Sequence, residues 1–477
     1  MSSAPVLALA AAAALALVPP AMLRAQQPAP RNCYVEIDSA GRAYQTSSGS
    51  GALWFAGGGF LSHCRDQPTT MASDSVEWFS DRAELRLIGR VHFRDSVYTL
   101  DADRAVYWTR QERLVATGNV YTQNHTTGSD LRGPSLEYLR AAPPIRDTLE
   151  LYATGRPLIH FATRGDSATA DTTAEPFEVR ADRVWMRGTE TMWGSGQVTI
   201  DRSDLTARAD SAIIDLRDSV GLLVGAPVVS ARDTAAGADS VTYRLTGQRI
   251  RFEMTAGRQI RRVLSMGDAD ARGPDWHLVS DTLDLALDSS RIQRAQAWGT
   301  ATRPRAISDQ STITADSLDI QMPGQVMELV LAYGTAQANS RADTTRPEDD
   351  WLAGDSLHAS FARTDSGTVR SSEIRRVVAF GNTARPAQSY YHVDNERDRD
   401  GPRGISYSRG QRIQIAMRER KVRTVDIVGQ VDGVYLEPLP PGADSAAADS
   451  VPTDTTTIRR PRQTSPRAPR PAPRPTP

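Results

Sequence analysis

An internal repeat constrains the fold of this 477-residue chain more than any other feature. Its clearest copy is residues 103–120, where an alternating run ends at Trp108, a polar turn follows, and a second alternating run passes through Gly118. Ten copies align on two anchor positions, the first held mostly by Asp and the second always by Gly. A period of about 30 residues is typical of repeat architectures, in which each unit packs on the next. The first anchors are Asp74, Asp103, Pro134, Asp182, Asp210, Gln248, Asp281, Asp316, Asp355 and Gln411, and the second are Gly89, Gly118, Gly155, Gly196, Gly225, Gly267, Gly299, Gly334, Gly381 and Gly429.

One face of every unit is apolar. The residues two and four positions after the first anchor are apolar or aromatic in all ten copies, while the residue between them is mostly polar. Alternation with one apolar face predicts a half-buried β-strand. We therefore expect an all-β fold, an elongated stack of repeated two-strand units. If each unit adds one strand to each of two sheets, ten rungs at about 4.8 Å give a length of roughly 48 Å.

Glycine and alanine recur in the second strand of the unit. Glycine within a strand marks a bulge or a close approach of backbones. One interpretation is close packing of two sheets, and the other is interior space for a ligand. We expect the Asp anchors to be turn formers that precede strands.

Composition shifts divide the chain into four predicted segments. Residues 1–25 contain an Ala-rich apolar run typical of a signal peptide, with an uncleaved membrane anchor as the alternative. Residues 26–72 form a predicted N-terminal cap in which Cys33 and Cys64 pair as a disulfide, because an even pair in an exported protein is typically oxidised. The alternative is two free thiols. Residues 73–437 form the repeat domain, and residues 438–477, rich in Pro, Thr and Arg, form a predicted disordered tail.

The sequence offers no pattern for catalysis, a metal or a cofactor. The seven histidines have no metal-ligand spacing, and a phosphate-binding loop and a Cys-x-x-Cys motif are both missing. The net charge of −1 implies no general attraction to nucleic acid. We therefore predict a protein that is not an enzyme. A structural or adhesive β-solenoid and a carbohydrate-active β-helix enzyme remain alternatives.

Several strand pairs of the repeat resemble one known family. "ADRAVYW" followed by "LVATGNVYT", and "SDSVEWF" followed by "LRLIGRVHF", are similar to the organic-solvent-tolerance (OstA-like) family. That family includes periplasmic bridge proteins of lipopolysaccharide transport and the N-terminal domain of the outer-membrane lipopolysaccharide assembly protein. The resemblance covers roughly residues 73–436. It implies a β-jelly-roll or V-shaped β-solenoid that is open along one side.

The resemblance also implies a function. Acyl chains of lipopolysaccharide or a related glycolipid would lie in a groove of a periplasmic protein, and an association with the outer membrane is a further expectation. Other transport-bridge or outer-membrane assembly proteins would join by pairing with an edge strand, for which the last rung, residues 413–434, is the better candidate because the cap covers the first. The candidate groove walls, taken from the apolar face, are Ala105, Tyr107, Val184, Met186, Ile214, Leu285 and Ile320.

Overall fold

The computed structural model describes residues 33–48, 51–162, 176–232, 241–255, 259–308, 311–340, 350–366, 369–393, 403–418 and 421–437. Within these residues the fold is all-β, which confirms the predicted class, and the single helical element is a 3₁₀ turn at Pro323–Gln325. The described part of the chain contains no helix that is long and apolar enough to cross a membrane. The predicted signal peptide and tail lie outside the described residues.

Thirty-one strands are described, and all pair antiparallel within one continuous sheet. They are β1 (Val35–Ser48), β2 (Gly51–Cys64), β3 (Thr70–Phe79), β4 (Glu84–Arg94), β5 (Tyr98–Trp108), β6 (Arg113–Asn124), β7 (Asp130–Leu139), β8 (Glu150–Thr154), β9 (Leu158–Phe161), β10 (Phe177–Arg180), β11 (Arg183–Arg187), β12 (Thr191–Arg202), β13 (Leu205–Asp215), β14 (Val220–Val224), β15 (Val228–Arg232), β16 (Val241–Thr246), β17 (Arg249–Met254), β18 (Ile260–Arg272), β19 (His277–Asp288), β20 (Arg291–Trp298), β21 (Arg305–Ile307), β22 (Ser311–Thr314), β23 (Ser317–Gln321), β24 (Leu329–Ser340), β25 (Asp350–Ser366), β26 (Val369–Phe380), β27 (Ala387–Val393), β28 (Gly404–Gly410), β29 (Arg412–Arg418), β30 (Lys421–Val428) and β31 (Asp432–Leu436).

The sheet has two limbs because each rung of the stack is interrupted near its middle. In β4, residues 84–88 and residues 91–94 pair with the same two neighbours, β3 and β5, on either side of a register shift. We call the part of the sheet that contains residues 84–88 the first limb, and the part that contains residues 91–94 the second limb. Elsewhere the rung is divided into two short strands, as in β8 and β9, which both pair with β7.

The number of rungs corrects the predicted length. Among the described residues, thirteen strands cross both limbs and nine rungs are divided, so each limb holds 22 successive segments. Each two-strand unit therefore adds two rungs to each limb, and not one as expected. At about 4.8 Å between neighbouring strands, the stack is roughly 100 Å long.

The two repeated anchors meet at the corner between the limbs. Gly118 and Asn119 have φ values of 77° and 45°, a left-handed pair that turns the strand from one limb to the other. The Asp103 side chain occupies the space that a Cβ atom on Gly118 would need, and Asn119 Nδ2 donates to Asp103 Oδ2 at 2.9 Å. The same contact with the first anchor recurs at Gly89, Gly155, Gly196, Gly225, Gly267, Gly299, Gly334 and Gly429.

This corner corrects two expectations. Five of the seven Asp anchors lie within a strand, as Asp103 does within β5, and so do not form turns ahead of the strands. Asp182 and Asp316 do lie at a bend directly ahead of β11 and β23. The anchor glycines leave room for the anchor side chain at the corner, and so they are not evidence for a ligand in the interior.

The interior between the limbs is built from the predicted apolar face. All ten residues two positions after the first anchor are buried, from Val76 in β3 to Ile413 in β29. At the N-terminal end, β1 and β2 form a hairpin that continues the same stack by pairing with β3, which runs across the predicted boundary at residue 72. The Cys33–Cys64 disulfide is present, as predicted.

Candidate functional site

The N-terminal part of the interior is packed with aromatic rings from both limbs. Phe93 of the second limb lies 5.9 Å from the ring of Tyr107 and 6.2 Å from that of Tyr138, both in the first limb. Tyr98 packs edge-on against Tyr138 at 5.3 Å. Because these rings fill the space between the limbs, this segment has a solid core.

A buried polar cluster joins the two limbs beside this core. Arg140 Nη1 donates to Glu112 Oε2 at 2.7 Å, and Arg140 Nε donates to Asp95 Oδ2 at 3.1 Å. Tyr107 Oη donates to Glu112 at 2.5 Å, and Tyr138 Oη donates to Asp95 at 2.8 Å. Burial raises the pKa of the Tyr107 phenol, and the Glu112 carboxylate raises it further. The cluster therefore connects the first-limb turn that contains Glu112 to the second-limb turn that contains Asp95.

A cavity with an apolar lining lies farther along, between the limbs, and is called the large cavity below. It contains about 590 Å³ of space, which includes space open to solvent. Eight lining side chains belong to the first limb and six to the second, and all fourteen are apolar. The first-limb residues are Ile214, Leu216, Leu223, Ile250, Phe252, Met254, Ile260 and Val263, and the second-limb residues are Phe161, Phe177, Ile200, Leu205, Ala207 and Val229. A gap of this composition suits hydrocarbon.

A second cavity of about 330 Å³ adjoins the first and shares Phe161 with it. Its lining is mixed, with apolar side chains such as Met186 and Leu151 and polar ones such as Thr122 and Asn124. The Asn124 side chain accepts hydrogen bonds from Thr126 N and Thr127 N at 2.8 and 2.9 Å. Part of the polar lining is therefore bonded within the local turn.

Three polar side chains, Arg202, Asp204 and Ser290, join the turns of the two limbs beside the large cavity, next to its lining residues Phe177 and Leu205, and we call this edge of the cavity its mouth. Arg202 donates two hydrogen bonds to Asp204, from Nε to Oδ1 at 2.5 Å and from Nη2 to Oδ2 at 2.9 Å. Ser290, in the first-limb turn between β19 and β20, donates to Asp204 Oδ2 at 2.5 Å and so bridges the limbs. Burial alone would raise the pKa of Asp204, but the bonds from Arg202 and Ser290 outweigh it and hold the pKa below its usual range.

The structure brings two of the seven candidate wall residues to these cavities. Ile214 lines the large cavity and Met186 lines the smaller one. Ala105 and Tyr107 lie in the solid N-terminal segment. The remaining candidates are buried in the core and line neither cavity; they are Val184, Leu285 and Ile320.

The cavity residues of the second limb were not predicted. Their signal was present in the sequence, because Val198 and Ile200 follow Gly196 by two and four residues and continue the alternation beyond the corner. The mouth residues Arg202 and Asp204 carried no comparable signal, since they lie at a turn rich in polar residues.

Among the described residues no group of three or more His, Cys, Asp or Glu side chains is arranged to hold a metal ion. Five of the seven histidines instead pair with carboxylates in the second limb. Examples are His92 with Asp101 at 2.7 Å and His277 with Asp270 at 2.8 Å.

Comparisons with known proteins give a weak likeness to solved structures and none to a family model or a curated protein. No family model and no curated protein matches the chain. The structure is similar to a crystal structure of LptH, the LptA homologous periplasmic component of the lipopolysaccharide transport device from Pseudomonas aeruginosa, at 18% identity. The match covers 31% of this chain and 97% of that chain, with a TM-score of 0.22. A TM-score this low carries no argument, so the fold class rests on the strands themselves.

Proposed function

We propose that the chain is a periplasmic lipid-binding bridge or chaperone for the transport of lipopolysaccharide or a related glycolipid to the outer membrane, and that it is not an enzyme. The observation that carries this proposal is the cavity between the limbs, whose fourteen lining side chains are all apolar. Acyl chains gain free energy by leaving water for such a surface. The resemblance of the repeat to the OstA-like family supports the same cargo.

The shape of the stack supports a bridge. A body roughly 100 Å long, built from strands about 4.8 Å apart, exceeds an acyl chain several-fold in length. Its cavities lie side by side along the gap between the limbs, with Phe161 common to both. We propose Met186 and Ile214 as walls of the lipid path. The other predicted wall residues, Ala105, Tyr107, Val184, Leu285 and Ile320, face the same interior but line neither cavity.

Partners would add strands at the ends of the stack. β30 pairs only with β29 among the described residues, and Val422 and Val428 on it are exposed. Its free backbone groups can accept a strand of another transport-bridge or outer-membrane assembly protein. β1 is the corresponding edge at the other end, since β2 is its one described partner. A proline at Ile427 that leaves the fold intact should weaken partner binding, and unchanged binding would place the docking site elsewhere.

The alternative function is a structural or adhesive scaffold without lipid cargo. The solid N-terminal segment, where Tyr107 and Tyr138 fill the space between the limbs, is the observation that favours it. The two functions differ in whether the purified protein holds lipid.

Lipid extraction tests the proposal. The chain should be expressed with export in a host that makes lipopolysaccharide and purified without detergent, and its extract analysed by mass spectrometry. We expect acylated glycolipid in a fixed ratio to protein, and loss of most of it when Ile214→Asp places a charge in the cavity. Ile213→Asp, on the exposed outer face of the same strand, is the matched control. Protein that never carries lipid would favour the scaffold.

A further inference from the structure

The mouth of the large cavity combines an apolar interior with a charged pair. Leu205, which lines the cavity, directly follows Asp204 in the chain. The Arg202 guanidinium lies 4.1 Å from the centre of the Phe177 ring, which is also part of the lining. The Arg202 side chain is only 10% exposed and that of Asp204 is 21% exposed. A buried charge pair is therefore held at the boundary between hydrocarbon-like surface and solvent.

The geometry of the pair shows what the guanidinium can bind. Arg202 uses two N–H groups side by side on the two oxygens of Asp204. This fork-to-fork arrangement is the one that recognises carboxylate and phosphate groups generally. Asp204 thus occupies the position that the anionic group of a ligand would take.

We infer that Arg202 is a headgroup subsite for an acylated molecule with an anionic group, whose chain lies in the large cavity and whose anion replaces Asp204. This inference rests on the proposed function, because it requires a chain in the cavity, and it adds the charge class of the cargo. Displacement of Asp204 also breaks its bond to Ser290, which is 86 residues away in the chain and on the other limb. Binding of the headgroup therefore unfastens the limbs at the mouth.

The buried cluster around Arg140 also connects the two limbs, but its surroundings differ from those of the Arg202–Asp204 pair. Arg140 is shared by two carboxylates, Asp95 and Glu112, whose side chains are 2% and 4% exposed, and tyrosine hydroxyls satisfy both. The smaller cavity reaches Tyr98, whose N–H donates to Asp95 of that cluster. The large cavity does not reach the cluster, but its lining includes Leu205 and Phe177, which lie beside Asp204 and Arg202. The Arg202–Asp204 pair is therefore the contact between the limbs that a ligand chain in the large cavity can reach.

Three small molecules separate the contributions of chain and anion. Binding of dodecyl phosphate, dodecanol and inorganic phosphate to the exported, lipid-depleted protein should be measured by calorimetry. We expect dodecyl phosphate to bind about tenfold more tightly than dodecanol, as a charge-assisted bidentate contact implies. Inorganic phosphate, which has no chain, should not bind measurably. Equal affinities for the two dodecyl compounds would overturn the subsite.

Variants assign the preference to Arg202. Arg202→Gln should bring the ratio of the two affinities close to one, and the double variant Arg202→Gln with Asp204→Asn does so without leaving an unpaired buried carboxylate. Arg180→Gln removes an equivalent positive charge from an exposed pair with Glu178 and should keep the ratio. A double variant that folds and retains the tenfold preference would overturn the assignment.

The Ser290 bond has its own matched control. Ser290→Ala should speed the uptake of dodecyl phosphate several-fold, because the mouth then opens without breaking a hydrogen bond. Ser289→Ala, in the same turn but bonded to Asp288, should leave uptake unchanged. Equal rates in both variants would refute the unfastening. If the wild-type protein binds neither dodecyl compound, the proposed function itself fails, whereas equal binding of both refutes only the headgroup subsite.

Discussion

Asp103 of β5 and Gly118 of β6 face each other at the corner between two neighbouring rungs, and the Asp103 side chain fills the space that a Cβ atom on Gly118 would need. This contact joins the two anchors of the repeat and explains why they recur together. The Asp-to-Gly distance along the chain is set by the hairpin between them, which runs out along the first limb and returns.

Gly118→Ala tests the corner. The new methyl group would meet Asp103 in a left-handed backbone conformation, so we expect a loss of about 2–3 kcal/mol in the free energy of unfolding. Gly128→Ala is the control, because Gly128 has nearly the same φ of 75° but its nearest neighbour would be at 3.6 Å. It should lose only about 1 kcal/mol. Denaturant unfolding measures both, and equal losses would show that the Asp103 contact has no role.

Arg140→Met tests the buried cluster. Removal of this cation leaves Asp95 and Glu112 buried without their positive partner, which should cost about 3–5 kcal/mol. Arg90→Met removes a cation from a pair with Asp74 in which the Arg90 side chain is 88% exposed, and should change the free energy of unfolding far less. Similar unfolding free energies for the two variants would contradict the importance of the cluster.

The Cys33–Cys64 bond should stabilise the N-terminal hairpin. It closes a sequence separation of 31 residues, which corresponds to about 3–4 kcal/mol in the chain-entropy model. The Cys33→Ala, Cys64→Ala double variant should lose that amount and should not respond to reductant. Free-thiol labelling of unreduced exported protein should modify neither cysteine, and labelling of both would contradict the bond.

Low pH should weaken the contacts of Asp204 with Arg202 and Ser290 at the mouth of the large cavity. The pKa of Asp204 is held low in the folded protein, despite its burial, by Arg202 and Ser290. A carboxyl with a lowered pKa stabilises the fold above its unfolded pKa of about 3.9, and the stabilisation disappears as the pH falls through the folded pKa. Asp204→Asn should therefore be less stable than wild type at pH 7, with a difference that shrinks below about pH 4. A difference that is constant from pH 7 to pH 2 would contradict this.

The sequence predicted the strand faces but not the limbs. Alternation placed Val76, Leu136 and Leu283 inside, because the polarity of every second residue reports burial directly. It missed the corner: Asp103 and Gly118 recur together in the repeat, but their spacing does not show that the two residues touch across neighbouring strands. Because the corner was missed, each two-strand unit was predicted to add one rung to each limb, whereas it adds two.

The candidate site was only partly predictable. Parity identified Ile214 and Met186 as inward-facing but could not separate them from Tyr107 or Leu285, which face inward into a filled core. Whether a gap remains between the limbs at a given rung depends on the side chains that face each other from both limbs. The pattern within one strand does not determine it.

Photo-crosslinking in cells tests the central claim, that lipid lies between the limbs. A photoreactive residue at Ile214 faces the large cavity, whereas one at the neighbouring Ile213, which is 38% exposed, faces outward from the same strand. Met186 and Trp185 form a second matched pair at the smaller cavity. Lipopolysaccharide should be captured at Ile214 and Met186 and much less at Ile213 and Trp185. Capture that is absent, or equal on the two faces, would contradict the account.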